Sequence, residues 1–275
     1  LAVIVQMYAA MALMALWFTP LVLFRREAAF DAVHSYCRWV RFTARHMLGL
    51  RSEVRGPVPA GEVLVAAKHQ SFFDIIILVS VLPRPKFIMK KELVRAPILG
   101  WYALRIGCIP VDRGKRGRAI ERMKADVARG AANPGQLVIY PQGTRVAPGA
   151  HLPYKVGTGL LYEQLGQPCV PVATNVGHFW PKRGILRHPG LAVVEFLPTI
   201  APGLPVADFM ARLTAEVNRI ARDKASTIRE VTDHQAESIA ALTDVERNQV
   251  IEAWRDLREA EAADRLSDDD AARVG

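Results

Sequence analysis

Cysteine is scarce in this sequence. There are three in 275 residues, Cys37, Cys108 and Cys169, and they lie far apart. That excludes a disulfide scaffold and leaves no thiols at zinc-ligand spacing. No two histidines stand at such a spacing either. None of the seven serines sits in Gly-x-Ser-x-Gly, so the hydrolase nucleophile elbow is missing. There is no Gly-x-x-x-x-Gly-Lys-Ser/Thr phosphate loop, and Gly157-Thr158-Gly159 lacks the third glycine of a dinucleotide fingerprint. Covalent serine, nucleotide and zinc chemistries all lose support. Internal repeats and low-complexity tracts are absent. Only one stretch is long and apolar enough to cross a bilayer, which argues against a polytopic transporter.

What is present is a chain with 51% hydrophobic and 23% charged residues. That excludes disorder throughout, and the length suits one good core or one domain with appendages. The net charge of +9 is unevenly spread. Residues 226–275 hold 6 basic and 13 acidic side chains, a tail of −7. The rest holds 30 basic and 14 acidic, or +16. A body that basic suits an anionic partner: nucleic acid, acidic lipid or a phosphorylated substrate. The same balance also fits a merely basic soluble surface.

Residues 1–24 carry no charge, and only Gln6, Thr19 and Pro20 interrupt the apolar run. As a helix this stretch is roughly 36 Å long, about one bilayer core. Arg25 and Arg26 follow at once, which assigns this end to the cytoplasmic face of the inner membrane. A signal peptide is the rival, but it would want a basic start and a small-x-small cleavage site. Pro20 points to a kink or a shallow insertion. Residues 27–49 read as a second, amphipathic helix. Phe30, Val33, Tyr36, Cys37, Val40 and Met47 recur near helical spacing, with Arg38, Arg41, Arg45 and His46 between them. Such a helix lies on an anionic membrane or packs on the domain.

From about residue 53 short strands alternate with helices. Strands are expected at 63–67, 86–89, 107–111, 137–140, 170–174 and 192–196. Helices are expected at 72–81, near 97–105, 116–130 and 155–166, and at 206–225. This alternation predicts an α/β domain with a mixed, largely parallel sheet flanked by helices. The expected division is a membrane-anchoring helical segment over 1–50, the α/β domain over 51–225 and an acidic helical tail over 226–275.

Four segments carry chemistry. Lys68-His69-Gln70-Ser71-Phe72-Phe73-Asp74 sits where a buried strand gives way to a helix. A histidine there stands at the carboxyl edge of the sheet, where ligands bind in open α/β folds. With His69 just before the first helical turn, Asp74 folds back to one imidazole nitrogen and leaves the other to take a proton. This is a triad without its serine, so the nucleophile must come from the substrate. A structural histidine at a strand end is the alternative. In Gly107-Cys108-Ile109-Pro110-Val111-Asp112-Arg113 a strand ends in an acid and an arginine, suited to phosphate or to a solvated basic turn. Tyr140-Pro141-Gln142-Gly143-Thr144-Arg145 offers a glycine for close backbone approach and two side-chain donors, or is an ordinary Pro-Gly turn. In Cys169-Val170-Pro171-Val172-Ala173 the proline marks an edge strand, a bulge or a ligand-facing position.

In this order and spacing the four segments resemble the motifs of the glycerolipid acyltransferase family, most closely the bacterial 1-acyl-sn-glycerol-3-phosphate acyltransferases. The motifs run from 68 to 173, and the likeness of the domain covers roughly 56–225. The resemblance implies that His69 is a general base and Asp74 its orienting acid. It implies that Arg113, Gly143, Thr144 and Arg145 help hold an acceptor's phosphate, and that Pro171 belongs to the acyl-donor side. The implied substrates are lysophosphatidic acid and acyl-CoA or acyl-carrier protein, met at an anionic membrane, with no cofactor, no metal and no nucleic acid. Another lysolipid, such as a lyso-ornithine lipid, is the alternative acceptor. A non-catalytic protein binding anionic membranes is the reading from another class. The sequence departs from the family in two places: Lys68 stands where asparagine is usual, and Gln142 where glutamate is usual.

Overall fold

The structure, a computed structural model, describes residues 2–111, 125, 134–150, 152–184 and 186–217. Asp112 and Arg113, the helix expected over 116–130 apart from Ala125, the end of the last expected helix and the acidic tail lie outside these residues.

Two long helices come first, α1 (Ala2–Phe24) and α2 (Ala28–Leu48). The second stops at Gly49, whose φ of 63° suits the left-handed cap that glycine adopts freely. Strands β1 (Leu50–Arg55), β2 (Val63–Ala67), β3 (Pro85–Lys90), β4 (Ile109–Val111), β5 (Gln136–Ile139), β6 (Cys169–Thr174) and β7 (Gly190–Phe196) form one sheet in the order β1-β7-β6-β2-β5-β3-β4. Neighbours run parallel except at β6–β7, so β1 and β7 oppose the other five. Between the strands lie α3 (Phe72–Val81), α4 (Leu99–Arg105) and α5 (Gly157–Leu165). A last described helix, α6, runs over 206–217.

The sheet has a core on each face, and β2 shows why. Val65 and Ala67 pack with α2, α3 and α4, while Leu64 and Ala66 pack with α5 and α6. Side chains alternate along a strand, so a strand covered on both sides must be apolar throughout. α3 carries Phe73, Ile76, Ile77 and Leu78 into the first core, and its apolar run is that of a buried helix.

Among the described residues there are seven strands where six were expected. The extra one, β1, reads Leu-Arg-Ser-Glu-Val-Arg, and only its Leu50 is buried. It is an edge strand, and charge on an edge hides the apolar pattern that marks a strand. Pro171 sits on β6, an interior strand between β7 and β2 rather than an edge. The expected irregularity is a bulge. Val172 pairs with Phe196 and Cys169 with Ile200, which leaves one extra residue on the β7 side opposite Pro171. The Pro171 carbonyl still accepts from Leu197 N–H at 2.9 Å, and the donor that proline lacks falls where the ladder is already interrupted.

Candidate active site

Five strands, β2 to β6, point their carboxyl ends the same way, and the chemistry-bearing segments leave from that edge. His69 follows β2 by two residues, Tyr140 follows β5 directly, and Asn175 follows β6. β2 lies between β5 and β6, so these three exits are neighbours. β4 ends at Val111 on the same edge, where the segment to Arg113 begins.

Asp74 is held by the start of α3. Ser71 is the N-cap, and its Oγ accepts from Phe73 N–H at 3.1 Å. Asp74 answers from the first turn. Its Oδ2 accepts from Ser71 N–H at 2.9 Å, from Gln70 N–H at 2.6 Å and from His69 Nδ1–H at 3.1 Å. The Ser-x-x-Asp spacing is thus both a helix cap and the means by which Asp74 reaches back to the histidine. Asp74 is 1% exposed and His69 12% exposed.

The imidazole is fixed from two further directions. Its ring stacks on Tyr140, with centroids 3.9 Å apart and planes inclined at 15°. Its backbone carbonyl accepts from Val146 N–H at 2.8 Å, which ties the loop after β5 to the end of β2. Burial, with Asp74's charge adding to it, pushes the Tyr140 phenol well above its usual range, so the ring stays neutral beside the histidine. Next to His69, Lys68 is half-buried, and burial lowers its pKa. Gln70 turns the other way, and its Oε1 accepts from Gly177 N–H at 3.1 Å. The loops after β2, β5 and β6 are therefore knotted together around one histidine.

The third segment folds as a turn, with Gly143 N–H donating to the Tyr140 carbonyl at 2.8 Å. Gly143 has φ of 71°, a conformation that favours glycine. A side chain there would also meet Lys155 Nζ at 2.9 Å. Thr144 is exposed and Arg145 half-buried. Gln142 is buried, and its Nε2 donates to the Leu152 carbonyl at 3.1 Å, which closes the 142–152 loop. An ionised glutamate cannot make that bond, and the departure at this position thus has a structural use.

Of the site residues named from sequence, His69 and Asp74 are in direct contact, and Gly143, Thr144 and Arg145 lie on the loop whose next residue, Val146, bonds to His69. Pro171 is buried mid-strand, paired with Ala66 of β2. Arg113 lies outside the described residues. The sequence reading gave no part to Tyr140, Gln70, Gly177, Trp180 or Arg187. Trp180 stacks on Phe73 of α3, at 5.1 Å and 11°, and Arg187 lies over the other ring system of that stack. Phe73 and Trp180 stand 107 positions apart, and no local pattern announces such a pair. The cysteines are poor nucleophiles. All three are buried, and burial pushes Cys108 and Cys169 up to about 12.

Residues 51–175 match the family model described as Acyltransferase. The chain is 28% identical over 202 residues to a 1-acyl-sn-glycerol-3-phosphate acyltransferase of Pseudomonas aeruginosa, covering 73% of this chain and 77% of the relative. It is 31% identical over 164 residues to the mouse 1-acyl-sn-glycerol-3-phosphate acyltransferase alpha, 58% of each chain. Among solved structures, the 1-acyl-sn-glycerophosphate acyltransferase of Thermotoga maritima superposes with a TM-score of 0.61 at 21% identity, over 80% of this chain and 95% of its own. That likeness is one of fold. The motif segments gathered at one sheet edge thus fall within residues 51–175, the stretch that matches the Acyltransferase family model.

Proposed function

We propose that this chain moves a fatty acyl group from acyl-CoA or acyl-carrier protein to the sn-2 hydroxyl of lysophosphatidic acid, giving phosphatidic acid. The observation that carries the reading is the buried Asp74 carboxylate on His69 Nδ1. With Nδ1–H donated to Asp74, Nε2 keeps its lone pair and accepts the proton of the acceptor hydroxyl. The hydroxyl oxygen attacks the thioester carbonyl carbon, and the carbonyl electrons move to oxygen. When the tetrahedral oxyanion collapses, the carbon–sulfur bond breaks. The sulfur leaves as a thiol with the proton that the imidazolium returns. Asp74 stabilises the imidazolium in between. Proton transfer of this kind contributes roughly 10²–10⁴-fold, and the remainder of the acceleration comes from holding the two substrates together.

No acyl-enzyme is needed, in keeping with three buried thiols and a Ser71 hydroxyl occupied at the helix cap. The transfer is redox-neutral and the thioester brings its own leaving group, so the step calls for no cofactor. Gly143, Thr144 and Arg145, with Arg113, are assigned to the acceptor's phosphate, and Pro171 to the donor side. The site is assigned to the cytoplasmic side of the inner membrane, against anionic lipid.

The test is thiol release from both thioester carriers by the purified chain in mixed micelles. Release should require lysophosphatidic acid and should match phosphatidic acid formed. A lyso-ornithine lipid acceptor, assayed in parallel, tests the alternative substrate. Absence of release with every lysolipid would leave only the membrane-binding reading.

A further inference from the structure

One arginine has a placement that the motifs do not explain. Arg187 lies in the loop between β6 and β7, with its guanidinium carbon 4.7 Å from the centroid of the Trp180 ring. Trp180 is buried, and it stacks in turn on Phe73, one residue before Asp74 on α3. The helix that orients the histidine therefore also supports, through two aromatic plates, one guanidinium. Arg187 Nη1 is spent on its own loop, donating to the carbonyls of Gly184 at 3.0 Å and Leu186 at 2.8 Å. Its Nε is buried and has no partner among the described residues.

Burial lowers the Arg187 pKa, and the positive charge of Arg145 lowers it further. No carboxylate among the described residues is paired with either guanidinium. The two loops that carry them meet: a Cβ added to Gly177, three residues before Trp180, would lie 2.9 Å from Pro148, three residues after Arg145. Two like charges carried by adjoining loops on a partly dry surface are unfavourable until an anion comes between them. A phosphate monoester, with nearly two charges and three equivalent oxygens, suits two planar forks.

We propose that Arg187, held over the Trp180–Phe73 stack, forms with Arg145 a two-arginine cradle for the phosphate monoester of the lysolipid acceptor. The proposal rests on the acyltransferase reading for the identity of the anion. It adds to that reading a residue outside the four motif segments and a reason for its position. The stack couples the cradle to α3, so the phosphate and the general base are referred to one helix, and the acceptor's hydroxyl is set a fixed distance from the imidazole.

The experiment measures equilibrium binding, with the full chain in detergent micelles and no thioester present. The probes are a lysophosphatidic acid and the monoacylglycerol of the same chain length, titrated calorimetrically. Arg187→Gln keeps a planar amide for the Trp180 face and removes the charge. It should weaken the phosphorylated probe about ten- to hundred-fold and leave the monoacylglycerol unchanged. Arg187→Lys keeps the charge and loses the fork, so it should recover part of the affinity, and it serves if the glutamine variant does not fold. Unchanged affinity for lysophosphatidic acid in either folded variant overturns the cradle. A loss confined to acyl-CoA or acyl-carrier protein, titrated separately, also overturns it and moves the arginine pair to the donor. Wild-type protein that binds lysophosphatidic acid with Arg187-dependent affinity but releases no thiol from either carrier leaves the cradle standing and defeats the acyl-transfer reading instead.

Discussion

At the scale of single residues, Asp74 does two jobs with one oxygen. Oδ2 takes three donors, two of them backbone N–H groups of the cap, while Oδ1 is buried without a partner among the described residues. The two jobs separate by mutation. Asp74→Asn keeps an amide oxygen for the cap and loses the charge opposite the imidazolium. It should lower kcat by about 10²–10⁴-fold with little change in melting temperature. Asp74→Ala removes the acceptor for the cap as well and should lower both. His69→Ala should abolish turnover in a folded protein, and near-normal rates in that variant would end the general-base assignment. Arg145→Ala should raise the KM for the phosphorylated acceptor about ten- to hundred-fold and leave the donor's KM nearly alone, with lysine restoring part. Initial rates against each substrate at fixed ionic strength decide it. If only the donor's KM moved, Arg145 would belong to the thioester carrier. The His–Asp pairing was legible because its spacing is local and its turn is a helix cap. The Tyr140 plate under the imidazole was not, since the two residues stand 71 positions apart and only the strand order makes them neighbours.

At the scale of elements, the interior strands could be read from sequence and the edge could not. β2 is apolar on both faces, and its limits are those that the sequence predicts. β1 alternates charge with small or apolar residues, as a strand with one open edge does, and the sequence reading placed no strand before residue 63 and put Leu50 at the end of the 1–50 segment. The loops at the site are less legible still, because they are fixed by one another. Gly177 shows how closely they approach. A Cβ there would lie 2.8 Å from Gln70 Cβ and 2.9 Å from Pro148, closer than such atoms pack. Gly177→Ala must therefore push apart the loops after β2, β5 and β6. The expected cost is about 1–3 kcal/mol of stability from overpacking, together with a loss of kcat as His69 shifts. Thermal melting and initial rates of the same preparation test this. Unchanged values for both would mean that these loops yield freely and do not set the histidine.

At the scale of the whole chain, the question left open by the sequence was whether the apolar helix crosses a bilayer or lies along it. Length and composition allow a crossing. The packing argues for the second arrangement. Near its start, Gln6 donates to Thr43 of α2 at 2.9 Å and accepts from Trp39 at 3.0 Å. Near its end, Thr19 bonds Tyr102 of α4 at 3.1 Å, and Arg105 donates to the Val22 carbonyl at 2.9 Å. These ties are about 24 Å apart along the helix axis. Both ends thus touch elements that pack on the same sheet, and a helix standing across a bilayer would carry one end away from them. The opposite face is apolar and open, with Leu16, Trp17 and Phe24 exposed by 76%, 80% and 88%. Trp39, Phe42 and Met47 of α2 are exposed as well, beside Arg38 and Arg45. The arrangement we propose for α1 is an interfacial one, in which such a helix sinks about 5–10 Å into the lipid interface. Spin labels set in turn at positions 5, 13, 16 and 24, on vesicles containing anionic lipid, should report one shallow depth. A crossing helix would instead give a profile shallow at its ends and deep in its middle, and that result would overturn the arrangement. Trp17→Ser and Phe24→Ser should each weaken vesicle binding by about 1.5–3 kcal/mol, roughly ten- to hundred-fold, since each withdraws a large ring from the lipid.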